Sequence, residues 1–321
     1  MKTYLVTGGC GFIGSNLVKK LIEGSKVIVV DNLSTGVREN LPKSNRIDFM
    51  PGNSGDYITE GLSGIFHLGM PSSTELYRED PRLMAEVVDD GVNLCKLAVQ
   101  NKCKLVFAST SSIYNGNKLP YREDMEVKVK DFYTEARYYL ERSVSLYNAL
   151  YGLDYAGVRF FSVYGGKNEL SKGKFANLVT QFLIEMSQGK SPVIYGDGEQ
   201  TRDFVYVDDI VDFLINRMNS KEKGIFNAGV GVGHSLNDVV SEINDLLGIK
   251  IKPIYKPTPL VNYVQDTLAD KKTLKIKPKV GFSEGIYKTY QNLKSYIYEK
   301  GMCEVQKIGR DEKKRQLVRK M

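Results

Sequence analysis

Short apolar runs alternate with stretches of helical period through the first half of the chain. Tyr4-Leu5-Val6 precedes a segment that places Phe12, Ile13, Leu17, Val18, Leu21 and Ile22 on one helical face. Lys26-Val27-Ile28-Val29-Val30 is a continuous β-branched run, and Ile47–Met50, Ile65–Leu68, Lys104–Ala108 and Tyr155–Phe160 follow it. Helical patterns over Arg82–Asn101 and Asp131–Tyr151 separate the later runs. Short runs that are apolar throughout, rather than at every second position, suit strands covered on both faces. Their alternation with helices predicts right-handed βαβ units and an α/β fold with a doubly wound parallel sheet.

The pattern loosens after Phe160. A helical stretch is expected over Phe175–Gln188, then a strand entering a turn at Pro192–Gly198, a strand over Thr201–Val207 and a helix from about Asp208. Pro253, Pro257 and Pro259 break the chain before a last helical part, Ser283–Lys300. The expected organisation is a dinucleotide-binding domain over residues 1–165, a smaller substrate lobe over 166–300 with some segments returning to the first domain, and a tail over 301–321. A ligand would lie between that lobe and the carboxyl ends of the strands.

The turn after the first strand reads Thr7-Gly8-Gly9-Cys10-Gly11-Phe12-Ile13-Gly14, in which Gly9, Gly11 and Gly14 fit G-x-G-x-x-G. Strand, glycine turn and helix form the context in which a backbone approaches a pyrophosphate and seats it on helix N–H groups. The second strand ends in Asp31, close to the ~20-residue spacing at which a carboxylate takes the ribose hydroxyls of NAD. It would repel a 2′-phosphate, so NAD rather than NADP is expected in a Rossmann-type domain.

The net charge is +7, but seven basic residues against three acids in Gly301–Met321 hold more than half of it. The body is therefore nearly balanced, and no nucleic-acid partner is expected. Cys10, Cys95, Cys103 and Cys303 show no metal-ligand spacing, and His67 and His234 are the two histidines, so no metal site is expected. His67 reads as a structural imidazole at a strand end. No signal peptide precedes the first strand and the apolar runs are too short to span a bilayer, which predicts a soluble, cytoplasmic protein without a membrane partner.

Candidate chemistry gathers in two places. Ser109-Thr110-Ser111-Ser112 follows the strand Lys104–Ala108, and Tyr133 and Arg137 lie four apart on one face of the helix beginning near Phe132. A fixed cation beside a phenol favours its deprotonated form, so hydroxyl, phenol and cation make a set able to move a proton. Thr110 has two readings, a reacting hydroxyl or a cap on the next turn. Literal Tyr-x-x-x-Lys strings at Tyr114–Lys118, Tyr290–Lys294 and Tyr296–Lys300 read as solvated helix or loop residues.

Over roughly Met1 to Leu293 the sequence resembles the extended short-chain dehydrogenase/reductases, in the nucleotide-sugar epimerase/dehydratase family and nearest its UDP-glucose 4-epimerases. The resemblance rests on Thr7–Leu17, on Asp31-Asn32-Leu33-Ser34-Thr35-Gly36, on Phe66-His67-Leu68 and on the long motif Tyr195–Asp209. It implies NAD held by Gly8, Gly11, Phe12, Ile13, Gly14, Asp31, Asn32, Ser34, Thr35 and Gly36. Asn53, Ser54, Leu68, Gly69, Met70, Ser109, Tyr133 and Arg137 complete that implied set. It also implies catalysis by Tyr133 as base, with Thr110 and with Arg137 at the usual lysine position. A UDP-sugar would meet Ser111, Ser112, Ser162, Asn177, Leu178, Tyr195 and Arg202. For Tyr195, core packing and contact with the base are equally open; for Arg202, the rival to a phosphate clamp is an ion pair with Asp203 or Asp208.

Several positions depart from the family pattern. Arg137 replaces lysine, a change of geometry as well as bulk. Asn53 replaces an acid near the adenine, Met70 a small residue, Val87 a common Asn and Ser162 a usual Asn. The second phosphate arginine and its following acid would fall near Leu260 and Tyr263, and neither is present. The expected function is an NAD-dependent epimerase interconverting UDP-glucose and UDP-galactose through a 4-keto sugar. The alternatives are a reductase or decarboxylase of the same family, or a weakly active NAD and nucleotide-sugar binding protein. The resemblance further implies a homodimer pairing through the helix of Tyr133.

Overall fold

A computed structural model describes residues 1–258 and 264–299. The expectations for Leu260, Tyr263, Cys303 and the 301–321 tail lie outside those residues.

Seven parallel strands form the central sheet. In chain order they are β1 (Thr3–Thr7), β2 (Lys26–Asp31), β3 (Ile47–Pro51), β4 (Gly64–His67), β5 (Lys104–Thr110), β6 (Tyr155–Phe160) and, after three short strands described below, β10 (Gly224–Ala228). Their spatial order is β10-β6-β5-β4-β1-β2-β3. The chain winds outward from β1 in both directions, so the crevice between the ends of β1 and β4 is a topological switch point. Every residue of β4 is buried, as is every residue of β2 except Lys26, which matches their unbroken apolar character.

Helices cover both faces. Helix α1 (Phe12–Leu21) and helix α6 (Val207–Asn219) pack one face, where Leu17, Val18, Ile210 and Leu214 meet Val6, Val29 and Phe66. After the short α2 (Thr74–Glu79), α3 (Leu83–Gln100) and α4 (Phe132–Tyr151) cover the other face, with Leu94, Leu140 and Val144 against Leu5, Ile65 and Phe107. Helix α4 begins in a capping box between Asp131 and Thr134 and ends at Gly152, whose φ of 70° is the left-handed conformation that a β-carbon disfavours.

A second layer holds β7 (Ser162–Tyr164), β8 (Val193–Tyr195), β9 (Thr201–Tyr206), β11 (Gly233–Ser235) and β12 (Ile254–Lys256), in a three-stranded and a two-stranded sheet. Helices α5 (Leu178–Ser187), α7 (Leu236–Leu247) and α8 (Phe282–Glu299) pack with it around Phe182, Val239, Ile243 and Leu293. Strand β10 and helix α6 belong to the first sheet although they follow residue 165 in the chain. None of the helices among the described residues is long and apolar enough to cross a membrane.

Candidate active site

The glycine turn is built by close approach. A β-carbon on Gly14 would sit 2.1 Å from the Gly8 carbonyl oxygen, and one on Gly8 would sit 2.5 Å from Gly69 Cα. Gly11 precedes α1 without a side-chain cap. The N–H groups of Phe12, Ile13 and Gly14 find no acceptor among the described residues. Unpaired donors at the positive end of a helix are what a diphosphate satisfies.

A cavity of about 220 Å³ opens over this turn, at the carboxyl ends of the strands. Gly8, Gly11, Phe12, Ile13 and Gly14 form its floor; Asp31, Asn32, Ser34 and Thr35 enter after β2, and Asn53 and Ser54 after β3. Leu68, Gly69 and Met70 enter after β4, Ser109 lies on β5 one residue before its end, and Tyr133 and Arg137 project from α4. Gly36 does not line it; its α-carbon presses so closely on Cys10 that a β-carbon would sit 2.6 Å from the Cys10 carbonyl carbon. The loops are tied together, with Asn32 Nδ2 donating to Asn53 Oδ1 (3.1 Å) and Ser54 Oγ to the Gly69 carbonyl (3.0 Å). Asp31 accepts N–H bonds from Cys10 and Leu33, both at 2.8 Å, which fixes its carboxylate at the rim. The donor set, the glycine cradle and the acid at the second strand's end fit a dinucleotide with free ribose hydroxyls.

Beneath the floor, Thr7 Oγ1 bonds His67 Nδ1 at 2.8 Å and accepts the Gly69 N–H at 3.1 Å, which holds the loop after β4. His67 is fully buried, its Nε2 has no hydrogen-bond partner among the described residues, and burial, helped by the charge of Arg137, pushes its pKa down to about 3. It stays neutral. Among the described residues no three His, Cys, Asp or Glu side chains form a metal-binding group.

A second cavity, of about 410 Å³, adjoins the first. Thr110, Ser111 and Ser112 line one side, Ser162 and Arg202 another, and Tyr133 and Phe160 border both cavities. Tyr133 therefore stands at their junction. Thr110 does cap the next turn, accepting the Ser112 N–H at 3.1 Å, yet this occupies only a lone pair of its hydroxyl. Arg137 lies with Cζ 5.1 Å from the centroid of the Tyr133 ring. Its guanidinium donates to the Pro71 carbonyl (2.6 Å) and to the sulfur of Met70, so Met70 crowds the arginine as well as the cavity.

Three expected substrate residues are elsewhere. Asn177 caps α5, accepting the Val179 N–H and donating to the Val163 carbonyl (both 3.1 Å); Leu178 packs in the second layer; Tyr195 is 43% exposed on β8. Arg202 lines the second cavity, but its guanidinium donates to the carbonyls of Thr201, Val264 and Gln265, each at 2.8 Å. The expected alternative, pairing with Asp203 or Asp208, is not among the ion pairs of the described residues, and the Asp203 carboxylate receives the N–H groups of Val230, Gly231 and Ala269. The reading of the Tyr-x-x-x-Lys strings also needs correction: Tyr114 and Tyr290 are buried, and Lys300 lies outside the described residues. Lys172 and Asp90 line the first cavity without a motif to announce them.

Comparison with known proteins bears on this geometry. Residues 4–229 match the model of the NAD dependent epimerase/dehydratase family. A putative UDP-glucose 4-epimerase of Methanocaldococcus jannaschii is 33% identical over 302 residues, covering 91% of this chain and 98% of that protein. A UDP-N-acetyl-alpha-D-glucosaminuronate decarboxylase of Bacillus cytotoxicus is 30% identical over 315 residues, 90% of this chain and 97% of that one. Among solved structures, a UDP-N-acetylglucosamine 4-epimerase of Methanobrevibacter ruminantium in complex with UDP-N-acetylmuramic acid superimposes with a TM-score of 0.86 at 30% identity, over 92% of this chain and 99% of that one. With the glycine cradle, the acid after the second strand and the tyrosine facing the cavity, the chain belongs to the NAD-dependent epimerase/dehydratase family of nucleotide-sugar enzymes.

Proposed function

We propose that this chain is a UDP-hexose 4-epimerase, with UDP-glucose and UDP-galactose as its substrate pair. One observation carries the reading: Tyr133 borders both the dinucleotide cavity and the cavity lined by Thr110, Ser111, Ser112 and Arg202. NAD, held by the glycine turn and Asp31, would supply reversible hydride transfer at the sugar carbon. Tyr133 takes the proton of the C4 hydroxyl as that hydride leaves and gives it back after the 4-keto sugar has turned over. Thr110 orients the same hydroxyl. Arg137 supplies positive charge beside the phenol. The serines at 111 and 112 offer no carboxylate to extract water from the ketone, which favours epimerisation over dehydration. Residues 166–300 are assigned as a substrate-binding lobe that adds Arg202 to the site, and two copies are expected to pair through α4.

The test is interconversion of UDP-glucose and UDP-galactose by the NAD-loaded protein, followed by NMR. Wild type should interconvert them, and Tyr133→Phe should lose about 100-fold or more, the span expected for removing a general base. Release of carbon dioxide from a UDP-uronate without interconversion of the neutral hexoses would replace this reading by decarboxylation. A second reading, binding with little turnover, is favoured by the commitment of Arg137 to Pro71 and Met70. It predicts an inactive wild type that retains NAD, with turnover appearing in Arg137→Lys.

A further inference from the structure

The segment Lys167–Phe175, in 3-10 conformation with a kink at Gly173, lies over the glycine turn. It is stapled there. Asn168 Nδ2 donates to Ser15 Oγ (2.8 Å) and to the Asn40 carbonyl (3.3 Å), while Asn40 Nδ2 donates to the Cys10 carbonyl (2.8 Å) and Ser171 Oγ (3.2 Å). These bonds join the first turn of α1, the loop after β2 and a segment more than 120 residues further along.

The next side chain, Lys172, is half-buried against the cavity wall, with Nζ 6.0 Å from the centroid of the Phe12 ring. No carboxylate of the described residues is within ion-pair distance of it. Glu169, the acid that acts on it, is occupied by the N–H groups of Gly165 and Asn177 and the hydroxyl of Thr180. Burial lowers the ammonium's pKa and Glu169 only partly offsets this. A half-buried cation with no acid in ion-pair contact is disfavoured unless a ligand brings the charge.

The ligand of this cavity brings it. A diphosphate resting on the N–H groups of Phe12, Ile13 and Gly14 would lie next to Lys172. The other cation of the cavity, Arg137, is committed to Pro71 and Met70, and the remaining charged walls are Asp31, Glu86 and Asp90. Helix dipole and N–H groups apart, no other group among the described lining residues is placed to neutralise a dianion. We propose that Lys172 is the counter-charge for the diphosphate of NAD, supplied by a stapled segment that follows β7, so that seating of this segment and retention of the cofactor are coupled. The proposal rests on NAD dependence and not on the identity of the sugar.

The test titrates the full-length chain with NAD, ADP-ribose and adenosine by calorimetry, at low and high salt. Lys172→Gln should weaken NAD and ADP-ribose alike by about tenfold, the scale of one charge-assisted hydrogen bond, with a smaller salt dependence than wild type. Adenosine affinity should stay within about twofold, and Lys172→Arg should keep most of the NAD affinity. Without NAD, Lys172→Gln should unfold at the wild-type temperature or above, because it removes an uncompensated cation. Unchanged NAD affinity, equal weakening of adenosine, or a lower unfolding temperature of the NAD-free variant would each overturn the proposal. No sugar turnover is read, so failure of the epimerase reading leaves these outcomes interpretable.

Discussion

Tyr133 and Arg137 show how far spacing along one helix carries a residue-level reading. Four positions apart, they face one cavity, and this was legible because helical periodicity is local. Asp31 was legible for the same reason, lying at the end of an unbroken apolar strand. The partners of Arg202 and the caps made by Asn177 were not, because they depend on loops brought together from distant parts of the chain. Lys172 was missed on the same ground. His67 gives a prediction at this scale. Its folded pKa of about 3 lies below the ordinary 6.5, so between those values the folded protein binds fewer protons than the unfolded chain. Stability contributed above pH 6.5 is therefore lost as pH falls through that window. Unfolding by urea at pH 7 and pH 5 should show a smaller acid loss for His67→Gln than for wild type. Parallel losses would mean that His67 is not the group titrating.

Elements with strong start and stop signals were predicted to within a few residues. The α4 expectation, Asp131–Tyr151, differs from the observed Phe132–Tyr151 only in counting the capping aspartate. Helix α7 was passed over although Ser235 and Asp238 form a capping box and Leu236, Val239, Val240 and Ile243 make an apolar face. Strands β7, β11 and β12 span three residues each, too few for a periodic signal. Between α4 and β6 lies a buried ion pair, with Arg159 Nη2 donating to Glu141 Oε2 at 2.6 Å and Ser109 Oγ to Glu141 Oε1 at 2.6 Å. Arg159 also donates to the Tyr114 hydroxyl at 2.6 Å, and that hydroxyl donates to Asn227 Oδ1 at 2.8 Å. The network links the helix of Tyr133 to the end of β5 and to β10. Glu141→Ala strands a buried guanidinium and should cost about 3–5 kcal/mol, read from chemical denaturation. A loss below about 1 kcal/mol would show that water reaches Arg159.

For the whole molecule, parallel topology and the placement of the dinucleotide cavity followed from the alternation of strand and helix, since both are consequences of βαβ winding. The return of β10 to the first sheet is a long-range pairing, and its position in the order could not be read from local pattern. Assembly belongs to this scale. Phe132, Tyr139, Leu146 and Leu150 fall seven, seven and four apart, one stripe along α4, and each is between 39% and 70% exposed. An apolar stripe of this kind suits a second copy of the chain, and α3 packs beside it. Light scattering should give a dimer for wild type and a monomer for the double change Leu146→Glu, Leu150→Glu; a monomeric wild type would remove the dimer from the account.

The proposed epimerisation turns on one chemical event, transient oxidation of the sugar at C4 with the same hydrogen returned. The NAD-loaded protein should therefore convert UDP-galactose deuterated at C4 into UDP-glucose that keeps the deuterium at C4, in ordinary water. Conversion with the label lost to solvent, or retention of NAD with no conversion at all, would contradict it.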